Sequence, residues 1–103
     1  MRISFSDDAF EELADLAGFI AQQNEPAARS FLEACDVTFF QLAERPLIGA
    51  LKHFESDKLS NVRMWRVKGF DSYLIFYIPF DGGIHILHLI HSAQDYNRIF
   101  EDD

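Results

Sequence analysis

The first part of the chain shows apolar residues at helical spacing. After a short alternating segment, RISF at 2–5, apolar residues recur every three or four positions as far as Gln23. The stripe predicted to face the core consists of Phe10, Leu13, Ala14, Ala17 and Ile20. Ser6 and the two aspartates that follow it suit a helix N-terminus. The pattern therefore predicts a strand at 2–5 and an amphipathic helix over 7–23.

A second amphipathic helix is predicted after a short break at Asn24-Glu25-Pro26. Proline is well tolerated in the first turn of a helix, so Pro26 suits that position, with Asn24 or Glu25 as the cap. The apolar positions of this helix are Ala28, Phe31, Leu32, Cys35, Phe39 and Leu42. Arg45-Pro46 ends it near Glu44, because the residue before a proline is disfavoured in the α region. Two helices joined by so short a turn are predicted to form an antiparallel hairpin.

The second half of the chain changes to the pattern of strands. Segments 62–67, 72–78 and 84–91 are rich in β-branched and aromatic residues. The turns between them are short, and Asp81-Gly82 is a strong hairpin signal. Short links force successive strands to run antiparallel. A last short helix is predicted at 93–100.

The element order β-αα-βββ-α predicts an α+β fold, with the helical hairpin packed on a small, mainly antiparallel sheet. A chain of 103 residues with 49% hydrophobic residues suffices for one domain with a packed core, taken as 1–103. Its apolar stretches are shorter than the ~20 residues of a membrane span, and a hydrophobic signal core is absent from the N-terminus. Cys35, the single cysteine, has no disulfide partner within the chain. We expect a cytoplasmic protein with no membrane association.

The charge of the chain is negative and unevenly distributed. The formal net charge of -8 argues against nonspecific nucleic-acid binding, which needs clustered cations. Residues 1–25 hold six acids against Arg2, whereas residues 52–68 hold five of the nine basic residues. An acidic helix face and a basic patch are therefore predicted, and ordinary solvated surfaces are the competing interpretation for both.

Three of the four histidines, His85, His88 and His91, lie in one predicted strand. Strand alternation predicts that His85 and His91 share one face, roughly 20 Å apart, and that His88 faces the other way. Two imidazoles so far apart cannot bind the same zinc ion, so we predict no metal site and no cofactor. His88 is predicted to share a face with Ile84, Ile86 and Ile90 and to pack beside the core. His91 ends the strand and is a candidate functional residue.

Several segments resemble a known family. PLIG at 46–49, VRMWRVKGF at 62–70, SYLIFY at 72–77 and GIHILHLIH at 83–91, followed by AQD, are similar in order and spacing to motifs of the ParE branch of the RelE/ParE toxin superfamily. The resemblance extends from the first strand to about Phe100. It implies a RelE/ParE-like fold and the toxin of a type II toxin–antitoxin pair. It also implies a cognate, ParD-like antitoxin that wraps across the helices and the sheet edge.

The chain departs from the family pattern at three positions. Members of the branch often carry arginines where this chain has Ile78, His88 and Gln94. Loss of cations from a surface that meets nucleic acid or an acidic patch weakens association. These departures favour either a different target or a divergent, non-toxic member that only binds an antitoxin and offers its helical acids to a basic partner segment.

The ParE branch is associated with poisoning DNA gyrase, and a non-enzymatic gyrase inhibitor is the first hypothesis. Its target-binding candidates are Arg63, Arg66, Lys68, Tyr77, His91, Tyr96 and Arg98. Alternation places Arg63 and Arg66 on opposite strand faces, and Trp65 is expected to pack in the core. A groove between the hairpin and the sheet is expected to receive a partner segment.

The RelE branch cleaves mRNA on the ribosome, and a ribonuclease of that kind is the alternative. Cleavage by 2′-hydroxyl attack needs a general base, a general acid and cations. The catalytic candidates are His91, Tyr96, Arg66 and Lys68. The negative net charge and the missing arginines argue against this alternative, so the chain is expected to act by binding.

Overall fold

The predicted element order is present in the fold. The computed structural model describes residues 2–54 and 59–101. The elements are β1 (Arg2–Phe5), α1 (Asp7–Gln23), α2 (Glu25–Glu44), β2 (Ala50–Leu51), β3 (Arg63–Val67), β4 (Phe70–Phe80), β5 (Gly83–His91) and α3 (Tyr96–Glu101). The bounds of β1 and α1 match the prediction, and α2 starts one residue earlier than predicted. The two-residue strand β2 lies in a segment with no strand pattern.

The strands form one open mixed sheet in the order β1-β5-β4-β3-β2. β1 runs parallel to β5, and the remaining pairs are antiparallel. One face of the sheet packs on the hairpin around Phe31, Phe39 and Leu42. The other face packs around Phe100 of α3. The predicted α+β fold is confirmed, and it contains a second, smaller core that the pattern did not separate from the first.

The hairpin is held by two capping side chains. Ser6 Oγ accepts a hydrogen bond from Ala9 N (3.0 Å) and donates one to Leu87 O (2.6 Å), so the start of α1 is tied to β5. Asn24 is the C-cap of α1 and the N-cap of α2, and its Oδ1 accepts from Ala27 N (3.0 Å). A single residue therefore separates the two antiparallel helices.

The predicted core-facing stripe of α1 is wrong at two positions. Phe10 is 67% exposed and Ala14 is also exposed. The packed stripe begins at the buried Ala9 and continues through Leu13, Leu16 and Ile20. The bonds of Ser6 fix the rotation of α1, so only one edge of its wide apolar band meets the sheet. On α2, Leu32 was likewise predicted to be buried and is 38% exposed.

A β-bulge changes the faces of β5. Phe76 pairs with His88, but the next residue of β4, Tyr77, pairs with Ile86, so Leu87 is the extra residue. Beyond the bulge the alternation is reversed: Ile86 faces the hairpin and His88 faces α3. The predicted common face of His88 with Ile84 and Ile86 is therefore wrong, although its buried position is confirmed.

The same bulge separates the other two histidines. His85 lies before it and forms a hydrogen bond with Ser4 Oγ (2.7 Å) on the side away from the hairpin. His91 lies after it, and its ring meets Tyr73 on the hairpin side. They do not share a face, contrary to prediction, because one inserted residue inverts the alternation. In the described ranges, no helix is long and apolar enough to cross a membrane.

Candidate functional site

A groove of about 530 Å³ lies where the end of α2 meets β3. Its lining combines apolar and charged side chains: Gln41, Ile48, Ala50, Met64, Trp65, Arg66, Val67, Lys68, Gly69 and Asp71. The groove occupies the junction between hairpin and sheet at which the sequence predicted a cleft. A volume in this range is typical of binding pockets in proteins.

The groove adjoins an open strand edge. β2 pairs with β3 only at Arg63 and Met64, and Lys52 N donates to Val62 O (2.9 Å). Backbone groups of an edge strand face outward at every second residue, so the next outward pair after Met64 belongs to Arg66. Within the described part of the chain, no strand pairs with Arg66 on this side. The N–H of Lys68 is satisfied by Thr38 Oγ1 of α2 (3.0 Å).

Tyr77 lies behind the wall of the groove and is not part of its exposed surface. Its side chain is fully buried, so the prediction that Tyr77 binds the target directly is wrong. The hydroxyl donates to Pro46 O (2.7 Å) and accepts from Gly49 N (2.9 Å). A Cβ at Gly49 would collide with that hydroxyl, so glycine is needed for this close approach. Burial raises the pKa of Tyr77, which keeps the hydroxyl available as a donor.

Arg63 is committed to the same loop. Its Nη1 donates to Leu47 O (3.1 Å) and Gly49 O (2.8 Å), and its Nε is buried without a partner in the described residues. Arg63 pairs with Tyr77 across the sheet, whereas Arg66 pairs with Leu74. Since Tyr77 and Leu74 belong to different cores, the predicted opposite faces of the two arginines are confirmed. The guanidinium of Arg63 therefore stabilises the position of this loop beside β3.

Arg66 and Lys68 are the two cations of the groove rim. Both side chains are exposed, and Arg66 Nη1 donates to Asp71 O (2.6 Å). Trp65 lies between the core and the groove: it is partly buried and packs against the hairpin-side core, as expected, but it also lines the groove. The rim thus presents positive charge beside an apolar floor.

His91 lies on the hairpin side of the sheet, at the end of β5. Its ring makes an edge contact with Tyr73 (5.1 Å between centroids). Its Nδ1 accepts a hydrogen bond from Ala93 N (3.0 Å), so any proton of the neutral ring is on Nε2. Gln94 Oε1 accepts from His91 N (3.0 Å). These bonds give His91 and Gln94 a role in shaping the turn after β5.

Tyr96 lies on the opposite side of the sheet from His91. Its ring is 5.0 Å from that of Phe76, and Lys52 Nζ is 5.6 Å from its centroid. Arg98 is exposed on the same short helix, α3. The sheet therefore separates His91 from Tyr96, the two residues considered as acid and base for RNA cleavage.

The three positions that depart from the family pattern have structural roles here. Gln94 caps the turn, and Ile78 packs against the α3-side core. His88 Nδ1 lies 3.1 Å from Glu12 Oε2, and Glu12 Oε1 accepts from Leu89 N (3.0 Å). β1 ends before it reaches this part of β5. The carboxylate of Glu12 thus accepts the backbone hydrogen bond that a neighbouring strand would otherwise accept.

Sequence reasoning missed Glu12 and the apolar floor of the groove. Glu12 could have been found from its position on α1, one turn after the buried Ala9 and one turn before Leu16, on the helix face that meets the sheet. Ile48 precedes Gly49 in the PLIG segment, and the presence of that segment was the only available signal. Gln41 carried no signal, because polar residues on a helix are usually solvated.

An open strand edge, an apolar groove and a cationic rim lie together where α2 meets β3, and such a surface of an α+β domain can receive a segment of another protein. Residues 3–96 match the family model described as the ParE toxin of the type II toxin-antitoxin system, parDE. The match spans most of the chain, which therefore belongs to the ParE toxin family, and the resemblance found in the sequence is confirmed. Membership implies the toxin role in such a system and an antitoxin partner. No curated protein matches the chain.

Proposed function

We propose that this protein acts by binding and inhibiting DNA gyrase without catalysing a reaction, and that a cognate, ParD-like antitoxin neutralises it. The observation that carries the proposal is the groove beside the open edge of β3. Both proteins use this surface, so the antitoxin neutralises by occupying it.

The backbone of β3 suits the antitoxin. The outward N–H and C=O of Arg66 are available to an extended segment, which adds to β3 as a further strand next to the Ala50 end of β2. An apolar side chain of that segment fits over Ile48 and Trp65. Main-chain bonds supply affinity in strand addition, and the pocket supplies specificity.

The charged side chains of the groove rim are the groups that we expect to contact gyrase. Arg66 and Lys68 are the exposed cations at the groove, and an acidic patch on the target is the matching surface. Arg63 and Tyr77 hold the loop that forms the groove wall. A binding role is favoured over ribosome-dependent cleavage of mRNA because His91 and Tyr96 lie on different sides of the sheet.

Induced expression in a bacterium tests the proposal. We expect filamentous cells in which DNA synthesis stops while labelled amino acids are still incorporated into protein. Co-expression of a short ribbon-helix-helix protein that is encoded next to this one is expected to restore growth. An immediate stop in translation would instead support the ribonuclease alternative, and undisturbed growth would support a member that only binds an antitoxin.

The matched variants locate the effect. Arg66→Ala with Lys68→Ala removes both rim cations. Arg98→Ala removes an exposed cation that the sequence also offered as a target-binding candidate but that does not line the groove. We expect the double variant to lose most of its toxicity and Arg98→Ala to remain as toxic as the parent chain. Equal toxicity of all three proteins, at equal expression, would remove the groove rim from the target-binding surface.

A further inference from the structure

A strip of polar side chains lies where β1 runs beside the start of β5. In the parallel register, Arg2 pairs with Gly83 and Ser4 pairs with His85. Residues two apart on a strand share a face, so Arg2 and Ser4 lie on the same side of the sheet. This is the side away from the hairpin, because the two apolar residues that alternate with them on β1 pack against the hairpin-side core.

Arg2 reaches across β5 towards β4. Its Cζ lies 5.7 Å from the centroid of the Phe80 ring, and Phe80 pairs with Gly83 on the other side of β5. Glycine has no side chain, so the side chain of Arg2 can pass over β5 at this position. The next row across the sheet on the same face contains Ser4 and His85, two residues or ~7 Å further along the strands. The guanidinium therefore lies beside the Ser4–His85 pair.

The guanidinium of Arg2 has no polar partner in residues 2–54 and 59–101. No carboxylate of these ranges forms an ion pair with it, and no acceptor takes a hydrogen bond from its side chain. The side chain is exposed, and its contact with the Phe80 ring uses the positive charge but none of the N–H donors. Arg63 and Arg66, in contrast, donate to main-chain carbonyls. The donors of Arg2 are therefore available to an anion.

Ser4 and His85 form a second set of donors whose state depends on one proton. Ser4 Oγ lies 2.7 Å from His85 Nδ1. When Nδ1 of the neutral ring accepts this bond, the hydroxyl donates its only proton to the ring. When the ring is protonated, Nδ1–H donates to the hydroxyl oxygen, and the Ser4 proton becomes available to another acceptor. Protonation of His85 thus adds a positive charge and releases a donor at the same place.

We propose that Arg2, Ser4 and His85 form a binding site for a phosphate group. The planar guanidinium presents parallel donors that match two phosphate oxygens, and the neighbouring row presents the hydroxyl and the imidazole. Charge-assisted hydrogen bonds are about 2.8 Å long, so a phosphate that accepts from both sides bridges rows ~7 Å apart. The ring of Phe80, which is 36% exposed beside the guanidinium, is an apolar surface for the organic part of a phosphate monoester.

A single phosphate group is favoured over a polyanion. The formal net charge of -8 repels a nucleic acid along the whole surface that it would cover. A small ligand is affected mainly by charges within about one Debye length, or ~8 Å, at physiological salt. On the strands around His85, the charged side chain at this end is Arg2; the nearby turn carries Asp81, which forms no ion pair with Arg2. The direct contacts therefore decide binding.

This inference does not depend on gyrase inhibition. β1 lies at one edge of the sheet, and β2 and β3, beside the groove, lie at the other. A chain that leaves gyrase unaffected still tests the phosphate site in full, and loss of phosphate binding leaves the groove unchanged.

NMR titration of the ¹⁵N-labelled full chain tests the proposal. Inorganic phosphate and phenyl phosphate are added separately, with chloride balancing the ionic strength. Both are expected to shift the amide signals of Ser4 and His85 saturably, with a dissociation constant on the order of 1 mM for a few charge-assisted bonds. Tighter binding of phenyl phosphate would support a monoester as the ligand, and equal binding would support free phosphate. Shifts that chloride reproduces, or that never saturate, would overturn the site.

Variants locate the bound phosphate. Arg2→Gln removes the charge but keeps the length of the side chain, and it should weaken binding about tenfold. Ser4→Ala should weaken it about threefold or more through the lost hydroxyl. The matched control is Arg29→Gln, which removes an exposed arginine of α2 and should bind like the parent chain. Circular dichroism verifies each fold. Unchanged affinity in folded Arg2→Gln, or an equal loss in Arg29→Gln, would contradict the proposal.

The contribution of His85 is measured with sulfate, which remains a dianion between pH 6 and pH 8, whereas phosphate titrates in this range. The parent chain is expected to bind sulfate about threefold or more tightly at pH 6 than at pH 8, because the protonated ring adds charge and releases the Ser4 proton. His85→Gln should remove most of this difference. A difference that persists in full in His85→Gln would exclude His85 from the site and overturn the three-residue arrangement.

Discussion

The open end of the hairpin and the outer edge of β3 are both exposed, but they expose different chemical groups. On the hairpin, the backbone is satisfied within the helices, and side chains such as Phe40 and Glu44 form the surface. On β3, the backbone of Arg66 is itself exposed beside a groove. The hairpin therefore offers side chains to a neighbouring molecule, and β3 also offers backbone groups that can extend the sheet.

The two surfaces also differ in how they are held. The wall of the groove depends on partly buried hydrogen bonds that Tyr77 and Arg63 donate to a loop with no regular structure. The hairpin is attached through Ser6 and Glu12, which bond to β5 where β1 ends. Substitutions in each set should damage one surface and spare the other.

The largest effect is expected at the groove wall. Gly49→Ala places a Cβ against the buried ring of Tyr77, so the free energy of unfolding should fall by about 2–3 kcal/mol. Gly18→Ala is the control: nothing lies within 4 Å of its Cβ in α1, and a gain of about 0.5–1 kcal/mol is expected. Urea unfolding measures both. A Gly49→Ala protein as stable as the parent would contradict the close packing described for Tyr77.

A smaller loss is expected where the hairpin meets β5. Glu12→Ala removes the acceptor for Leu89 N and the charge beside His88, at a cost of about 1–2 kcal/mol. Glu11→Ala removes an exposed carboxylate one residue earlier and should change stability by less than about 0.5 kcal/mol. Hydrogen exchange should show faster exchange of the Leu89 amide in the first variant only. Similar exchange in both would mean that Glu12 does not support the edge of β5.

The effect that is smallest near neutral pH, and that grows only above pH 9, is a dependence of stability on alkaline pH. Burial, and secondarily the charge of Asp36, raises the pKa of Cys35 from 9.0 to about 12. In the unfolded chain the thiol ionises at a lower pH than in the folded chain. Its contribution to the free energy of unfolding is therefore fully present below pH 9 and is lost progressively as the pH rises towards 12. Cys35→Ala should make the free energy of unfolding less dependent on alkaline pH, because it removes the thiol from the core next to the hairpin.

Tyr77→Phe should also reduce the loss of stability at alkaline pH, because burial raises the pKa of the Tyr77 phenol. In this variant the change arises at the groove wall. Comparing the two slopes by chemical unfolding between pH 8 and about 11 separates the regions. A decline that is identical in the parent and in both variants would show that neither group contributes.

Much of the fold follows from local signals. The ends of α1 and α2 were predictable because Ser6 and Asn24 are explicit caps. The rotation of α1 was not, since its apolar band is wider than the stripe that the sheet covers, and Phe10 lies on the uncovered edge. The bulge at Leu87 was also hidden, because the flanking residues read as one uninterrupted strand.

The site was predictable only where side chains alternate on an exposed strand. Arg66 and Lys68 were identified in this way and do line the groove. Tyr77 was misplaced because the partners of its hydroxyl are main-chain groups of Pro46 and Gly49, which the sequence does not reveal. The edge of β3 is open at Arg66 because β2 begins only at Ala50, opposite Met64, and a two-residue strand leaves no pattern in the sequence.

Inhibition of gyrase can be measured with the purified enzyme in a supercoiling assay. We predict that the parent chain blocks supercoiling, that Arg98→Ala does so equally, and that Arg66→Ala with Lys68→Ala requires a concentration about tenfold higher, as expected for lost charge contacts. Full supercoiling at every concentration of the folded parent chain would show that the protein does not inhibit gyrase.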